Sequence, residues 1–391
     1  MLRSTYKKYH TVNKRDEIAN LIKAINGGDK TLAKKLFKKL GLSDRSNIYT
    51  IINKLCIEHN EEYLFDEICE NFKKGNPADI LILSSICIGA GKYTLASKIR
   101  NYALERIECY EGKVWDYFYT DLIIGKLIES FEFDRLDKYL RIAEILRTPC
   151  GRGTLNRKLR HKISGTDINQ SLTEADKSFA RFIENKRVAI IGPLQIDEEE
   201  QTEIQSFDVL VKLNELDIIK EQQLKPLFPD VVYYTGKVQP KLYDVLASSN
   251  GKTLPPFLVG KKKMQIPELA ANKVTFRLRD ETNPFTLNGG LNLLPRVIAD
   301  LILFKTASIK VFGVDLYTSL DFDEAYHGDK SIGWDHVFSH FINHDMITQY
   351  KFMHACYESG YIQADARLEK VMQMNLEGYL RYFEIKRSQE F

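Results

Sequence analysis

The stretch RVAIIGPLQ, residues 187–195, decides the fold class of this chain. Four apolar residues follow Arg187, and the pair Gly192-Pro193 ends the run. A short apolar run that stops at glycine and proline is typical of a strand buried on both faces, as in a parallel sheet. The sequence therefore predicts a buried strand here, with Gly192 in the turn that follows it.

Similar runs recur along the rest of the chain. They are FDVLVKLNE (207–215), PDVVYYTG (229–236), PPFLVG (255–260), KVTFRL (273–278) and SIKVFGVDLY (308–317). Helix-like segments lie among them, namely NGGLNLLPRVIADLILF (288–304) and HDMITQYKFMHACYESG (344–360). Strands that alternate with helices predict an α/β domain with a Rossmann-like, mostly parallel sheet. We expect this domain over residues 186–391.

Residues 14–147 show helical spacing of their apolar side chains. RDEIANLIKAI (15–25), for example, is apolar at positions i, i+3, i+4 and i+7. GDKTLAKKLFKKL (28–40) and GKYTLASKIRNYAL (91–104) look alike and are similar to the helix pairs of tetratricopeptide-like solenoids, with an irregular bundle as the alternative. We expect an all-α docking domain over residues 1–148, which would contact a protein or a membrane surface.

Residues 149–185 differ from both halves in composition. They are basic, they contain glycine and serine, and they have few large apolar side chains. This composition predicts a basic linker between the two domains. Its cations include Arg152, Arg157, Arg160 and Lys162. These side chains could face an acidic partner or lipid headgroups.

Composition and charge restrict the class of protein. The 391 residues carry a net charge of +3, so nothing global favours nucleic acid as a partner. The N-terminus has no apolar run typical of a secretory signal, and no stretch approaches the length of a spanning helix. The six cysteines are scattered and form no C-x-x-C pair. We therefore expect a cytoplasmic protein with reduced thiols, which could also lie peripherally at the inner membrane face.

The candidate site residues follow the predicted strands, because ligands of such sheets bind beyond the carboxyl ends of the strands. Glycines there allow a backbone to approach a phosphate or ribose closely, and asparagines can donate and accept hydrogen bonds. Asn288, Gly289 and Gly290 precede a helix, where backbone amides bind anions, although Asn288 also suits an N-cap. The other candidates of this kind are Gly192, Asn214, Gly313, Tyr317 and Tyr326.

The stretch FSHFINHD, residues 338–345, leaves three interpretations open. His340 and His344 could bind a metal, but no third ligand follows in the H-E-x-x-H pattern. Asp345 could cap the following helix. A loop before that helix could direct His340 into the cleft at the end of the sheet, as a general base. The Asp321-x-Asp323 pattern is attributed to an acidic, solvated loop, so the sequence predicts no metal.

Three blocks in this order resemble the sialyltransferases, both the animal-type family and related bacterial capsule and lipooligosaccharide enzymes. The first block is VAIIGPLQ…SFDVLVKLNE, with Gly192 and Asn214; the second is LNGGLNLLPRVIADLILFKTASIKVFGVDLY; the third is His340 with Asp345 five residues later. The resemblance covers about residues 186–365. Pro193, Leu194 and Asn288 depart from the family pattern where the donor binds, so Kdo transferases, which also use a CMP-activated acidic sugar, are included.

The resemblance implies a GT-A-like sialyltransferase variant without a cofactor. It implies an inverting, metal-independent transfer from a CMP-sugar to a hydroxyl of a glycan or glycolipid. His340 would be the base, and Asp345 would fix its position. Tyr317 and Tyr326 would hydrogen-bond the leaving phosphate. The donor would contact Gly192, Asn214, Asn288, Gly289, Gly290 and Gly313.

Three alternatives remain at this point. A non-catalytic nucleotide- or glycan-binding protein could keep the fold and lack the chemistry. Another nucleotide-dependent enzyme could use a similar sheet. A retaining transferase would need a carboxylate nucleophile, for which Asp230 is the candidate.

Overall fold

The computed structural model describes much of both halves of the chain. The described residues are 17, 20, 21, 23, 24, 29–40, 51, 54, 55, 60–73, 75–109, 117–215, 227–235, 239–247, 253–261, 274–280, 282, 285–287, 290–322 and 333–390. The helices up to residue 183 are α1 (Lys30–Leu40), α2 (Glu61–Phe72), α3 (Pro77–Ala90), α4 (Tyr93–Glu108), α5 (Tyr117–Glu129), α6 (Phe133–Leu146), α7 (Pro149–Arg152), α8 (Thr154–Ser164) and α9 (Glu174–Ile183). Those beyond it are α10 (Glu198–Ile204), α11 (Gln239–Ala247), α12 (Leu293–Leu301), α13 (Trp334–Asn343), α14 (Met346–Glu358), α15 (Ala366–Met372) and α16 (Leu376–Glu390).

A seven-stranded sheet, parallel throughout, forms the centre of the second half. Its strands are β1 (Arg187–Ile191), β2 (Val209–Leu213), β3 (Val231–Tyr233), β4 (Phe257–Gly260), β5 (Thr275–Leu278), β6 (Ser308–Phe312) and β7 (Gln363–Ala364). Strand β1 is buried over Val188–Ile191, and β3 and β4 are buried throughout, as in a sheet covered on both faces. The predicted α/β class with a mostly parallel, Rossmann-like sheet is confirmed.

The strand order is β5-β4-β3-β2-β1-β6-β7. The chain therefore moves outward from β1 to β5, then returns to the other side of β1 at β6. Val188 of β1 pairs with Val209 of β2 on one side and with Ile309 of β6 on the other. Strand order reverses between β1 and β6, so this is the topological switch point of the sheet.

The helices up to residue 183, called the helical half from here on, share one apolar core with the sheet. A single cluster of buried side chains extends from Leu21 to Phe383 and includes residues of β1 and β6. The ring of Tyr93 on α4 contacts Phe341 on α13, with centroids 5.9 Å apart. The amide of Thr94 donates to Glu384 on α16 at 2.7 Å. Helix α4 thus packs directly on the elements that surround the end of the sheet.

Residues 149–185 are mainly helical, which corrects the predicted basic linker. Helix α7 begins with Pro149 at its first turn and Thr148 as its N-cap. Helix α8 ends at Gly165, whose φ is +65°. A capping box between Thr173 and Asp176 starts α9. These start and stop signals were overlooked in sequence because the basic residues between them suggested a solvated connector.

Within the described residues, none of the helices has the length and apolar character needed to cross a membrane.

Candidate functional site at the switch point of the sheet

A cavity of about 240 Å³ lies beyond the carboxyl ends of strands β1–β6. Parallel sheets of this kind bind ligands here, because the reversal of strand order opens a crevice between neighbouring turns. Strand ends contribute Pro193, Leu194, Leu213, Asn214, Thr235, Lys261, Arg279 and residues 314–317 to its lining. The remaining lining residues are 291–296, Phe322, His336, His340, His344 and Gln349.

Gly192 and Gly313 lie against each other at the switch point. A Cβ atom on Gly192 would lie 2.4 Å from the carbonyl oxygen of Gly313, and Gly313 has a φ of +64°. The amide of Gly192 donates to the carbonyl of Phe312 at 2.8 Å. Neither glycine lines the cavity, so both permit the close approach of the turns after β1 and β6. Their predicted contact with a donor stays a prediction.

Asn214 joins the ends of β2 and β3. Its backbone is left-handed, with a φ of 55°, which asparagine tolerates better than most residues. Its amide N–H donates to the carbonyl of Tyr233 at 2.8 Å, and its Oδ1 accepts from the amide of Thr235 at 2.9 Å. Asn214 is thus a strand-end turn residue that also lines the cavity, and its predicted contact with a donor stays a prediction.

The start of α12 forms another wall of the cavity. Asn292 is the N-cap residue, but its side chain makes no capping bond and instead donates from Nδ2 to the hydroxyl of Tyr317 at 2.8 Å. The carbonyl oxygen of Gly290 lies 3.1 Å from Nδ1 of His344, within hydrogen-bond distance. This contact joins the segment before α12 to the end of α13. The predicted Asn288 and Gly289 lie outside the described residues.

Tyr317 occupies a strained turn after β6. Leu316 and Tyr317 both have left-handed backbones, with φ of 50° and 72°, which is uncommon for such side chains. The carboxylate of Asp315 accepts from the amides of Tyr317 (3.0 Å) and Ser319 (2.5 Å). Burial raises the pKa of Asp315 despite these hydrogen bonds.

Two tyrosines of α16 donate hydrogen bonds to the backbone of this turn. The hydroxyl of Tyr379 donates to the carbonyl of Leu316 at 2.9 Å, and that of Tyr382 donates to the carbonyl of Thr318 at 2.5 Å. Burial raises the pKa of Tyr379 well above its usual value, so its hydroxyl keeps the donated proton. The C-terminal helix therefore fixes carbonyl groups whose orientation positions the ring of Tyr317.

Three histidines lie in a row along one face of α13 and the residue after it. The rings of His336 and His340 have centroids 4.5 Å apart, and those of His340 and His344 are 5.7 Å apart. All three line the cavity. The expectation that His340 precedes a helix in a loop was wrong, because residues 334–343 are themselves helical. The row follows from i, i+4 spacing, which brings side chains onto one helix face.

Asp345 is the N-cap of α14, as predicted. Its Oδ1 accepts from the amides of Ile347 (3.0 Å) and Thr348 (3.3 Å). Its Oδ2 accepts from Arg100 at 2.6 Å. The carboxylate is buried and does not line the cavity, so Asp345 acts through the position of its helix rather than on a ligand.

Three cations line the cavity and were not singled out in sequence. Lys261 follows β4, Arg279 follows β5, and Arg296 lies in the first turn of α12. The rule that ligands bind beyond strand ends would have found the first two. Asp315 is the sole carboxylate among the described residues of this lining. Among the described residues of this lining, cations therefore outnumber carboxylates, which favours an anionic ligand.

Asp230, the candidate nucleophile of a retaining transferase, does not line the cavity. Asp230 precedes β3 and bonds the amide of Leu210 at 2.8 Å, so it lies at the opposite, amino-terminal edge of the sheet. Asp321 is exposed, and Asp323 lies outside the described residues, as does Tyr326. In the part of the chain that is described, no group of three or more His, Cys, Asp or Glu side chains is arranged to hold a metal ion.

Comparisons with protein-family models, with curated proteins and with solved structures each find no match to this chain.

Proposed function

We propose that this protein is a glycosyltransferase that moves an acidic sugar, sialic acid or a Kdo-like sugar, from a CMP-sugar to a glycan hydroxyl. The observation that carries the proposal is the cavity at the switch point, which places His340 and Tyr317 beside three cations. The ring centroids of His340 and Tyr317 are 6.5 Å apart, so a reacting group between them can contact both. The resemblance of the three sequence blocks supports the same activity and a GT-A-like variant of the fold.

The nucleotide phosphate of such a donor needs positive charge. Lys261, Arg279 and Arg296 supply it, and guanidinium groups suit phosphate oxygens because their N–H donors form a fork. The first turn of α12 adds the positive end of the helix dipole, and the side chain of Asn292 makes no capping bond there. These groups can neutralise the leaving phosphate in place of a divalent cation.

His340 would accept the proton of the acceptor hydroxyl while that oxygen attacks the anomeric carbon. The bond between the anomeric carbon and the phosphate oxygen breaks, and CMP leaves with the electron pair. The hydroxyl of Tyr317, which already accepts a hydrogen bond from Asn292 at 2.8 Å, can donate its own proton to that phosphate. Asn214 would contact the nucleotide or the donor sugar.

The placement of the carboxylates in the described part of the chain favours inversion over retention. A retaining enzyme needs a nucleophile at the anomeric carbon. Asp230 lies at the other edge of the sheet, and both oxygens of Asp315 accept backbone amides. Direct attack by the acceptor requires only a base, which His340 provides. The acceptor is a glycan or glycolipid, and the helical half could bring the enzyme to a protein or membrane that carries it.

Incubation with CMP-sialic acid and with CMP-Kdo tests the proposal. We expect release of CMP, accelerated by a glycan acceptor, from at least one donor, and we expect EDTA to leave the rate unchanged. Binding of CMP without turnover would instead indicate the non-catalytic alternative. A protein that neither binds CMP nor hydrolyses either donor would contradict the proposed function.

A further inference from the structure

A second, apolar cavity of about 340 Å³ lies between the helical half and the sheet domain. Its wall comes from α5, α6 and α8 on one side and from α12 and α14 on the other. Four phenylalanine rings line it: Phe131, Phe133, Phe285 and Phe352. This volume lies in the range of small-molecule sites. Most of the lining side chains are aliphatic or aromatic, and of the polar ones Glu129 and Thr348 already bond Arg100.

This cavity adjoins a wide, polar cleft. Lys162 and Leu303 line both spaces, and Lys305 lies in the same cleft. Lys162 and Lys305 are near neighbours: burial first, and then the charge of Lys305, lower the pKa of Lys162. The cleft also contains Asp167, Glu174 and Glu184. Glu174 pairs with Lys177 at 2.8 Å, so its charge is already balanced.

An apolar cavity with Lys162 in its wall and Lys305 in the adjoining cleft matches the chemistry of an amphiphile with one anionic end. The hydrocarbon chain would fill the space among the phenylalanines, and the anion would offset the repulsion between the lysines. We propose that this cavity binds the hydrocarbon chain of an anionic lipid, with its phosphate or carboxylate between Lys162 and Lys305. The site is separate from the switch-point cavity, although Leu291 contributes to both walls. The inference does not depend on the proposed transfer reaction.

Calorimetry tests whether the cavity binds a hydrocarbon chain. The protein is titrated with alkyl phosphates of increasing length, each below its critical micelle concentration. Affinity should increase by roughly fourfold for each added methylene until the cavity is full, and then reach a plateau. Ala299→Leu narrows the cavity from α12 and should shorten the chain length at the plateau. Ala247→Leu, an exposed position on α11, is the matched control and should leave the series unchanged. An affinity that does not depend on chain length would overturn the proposal.

The role of the lysines is tested with a fixed chain. Lys162→Ala and Lys305→Ala should each weaken dodecyl phosphate binding at least tenfold, the loss expected for a charge-assisted contact, while dodecanol binding stays the same. Lys177→Ala changes a lysine of the same cleft that pairs with Glu174, and it should have no effect. Inorganic phosphate alone should bind at least a hundredfold more weakly. Equal binding of inorganic and dodecyl phosphate would refute the site, since the apolar cavity would then contribute nothing.

Discussion

The guanidinium of Arg100 on α4 donates from Nη1 to the Oδ2 of Asp345, the N-cap of α14, at 2.6 Å. Its Nε donates to Glu129 at 2.8 Å, and its Nη2 bonds both Glu129 and Thr348. Arg100 is fully buried. Through this one side chain, the helical half fixes the start of α14, which directly follows the last histidine of the row.

Replacement of Arg100 by methionine should strongly destabilise the protein. Two carboxylates, Glu129 and Asp345, would lose their main cation while remaining buried. Breaking a buried ion pair from one side costs about 3–5 kcal/mol in the free energy of unfolding. Chemical denaturation at neutral pH measures this loss. The triple variant Arg100→Met/Glu129→Gln/Asp345→Asn should recover part of it, because Glu129 and Asp345 are then no longer buried charges without their cation.

The control is Arg141→Met on the surface of α6. Arg141 pairs with Asp137 at 2.7 Å, but its side chain is 57% exposed. An exposed pair one helical turn apart contributes only about 0.3–0.5 kcal/mol. A loss for Arg100→Met as small as this would show that the buried cluster does not join the two halves energetically.

Stability should also depend on the ionisation of Glu129. Burial opposes its charge, but Arg100 and then Lys351 overcome that effect and lower the pKa of Glu129 from 4.5 to about 2. The contribution of the ionised Glu129 to the free energy of unfolding is complete above about pH 4.5. As the pH falls toward 2, the unfolded chain binds a proton that the folded chain does not, so the stabilisation is lost. The stability difference between wild type and Glu129→Gln should therefore narrow from pH 6 to pH 3 in urea titrations. A constant difference would contradict this linkage.

The sequence predicts the sheet well because apolar runs and their terminal glycines are local signals. The strands that end before Gly192, Asn214 and Gly313 lie where their patterns put them. The contact between Gly192 and Gly313 was not predictable, because residues 121 positions apart become neighbours only through strand order. The partnership of Arg100 with Asp345 has the same cause, with a separation of 245 residues. The cavity's cations were overlooked because lysine and arginine are ordinary surface residues in sequence.

The conformation of the strained turn at Tyr317 should depend on the hydrogen bond that Tyr379 donates to it. Tyr379→Phe leaves the carbonyl of Leu316 without its 2.9 Å donor in a buried place, at a cost of about 1–3 kcal/mol. The turn can then relax toward ordinary backbone angles, and Tyr317 will move away from Asn292. We expect weaker CMP binding by calorimetry together with reduced thermal stability. Tyr357→Phe, whose hydroxyl bonds Glu369 at 3.3 Å on the surface, should change neither. Unchanged CMP affinity in Tyr379→Phe would argue against a binding role for this turn.

The cations at the strand ends should recognise phosphate rather than the nucleoside. Arg279→Gln keeps a polar side chain at the cavity but removes the charge. A charge-assisted hydrogen bond contributes about 1.5–3 kcal/mol, so CMP affinity should fall roughly 10–100-fold. Cytidine, which has no phosphate, should lose little. Arg187→Gln, at the amino-terminal start of β1, is a control far from this edge. Equal losses for CMP and cytidine would place the phosphate elsewhere.

The three histidines in the row on and directly after α13 should differ in their effect on turnover, if the proposed reaction is correct. His340 lies between its two neighbours and nearest to Tyr317, so His340→Asn should lower kcat by roughly 10²–10⁴-fold, the usual contribution of a general base. His344→Asn should have a smaller effect, through its contact with Gly290. His354→Asn changes a histidine of α14 that stacks on Tyr350, outside the cavity, and should leave the rate unchanged.

CMP affinity should stay near the wild-type value in His340→Asn, because the base contacts the acceptor rather than the nucleotide. A base works only in its deprotonated form, so the wild-type rate should rise with pH and the His340→Asn rate should not. If His340→Asn kept both the full rate and the pH dependence, the proton would have to leave through another group of the cavity.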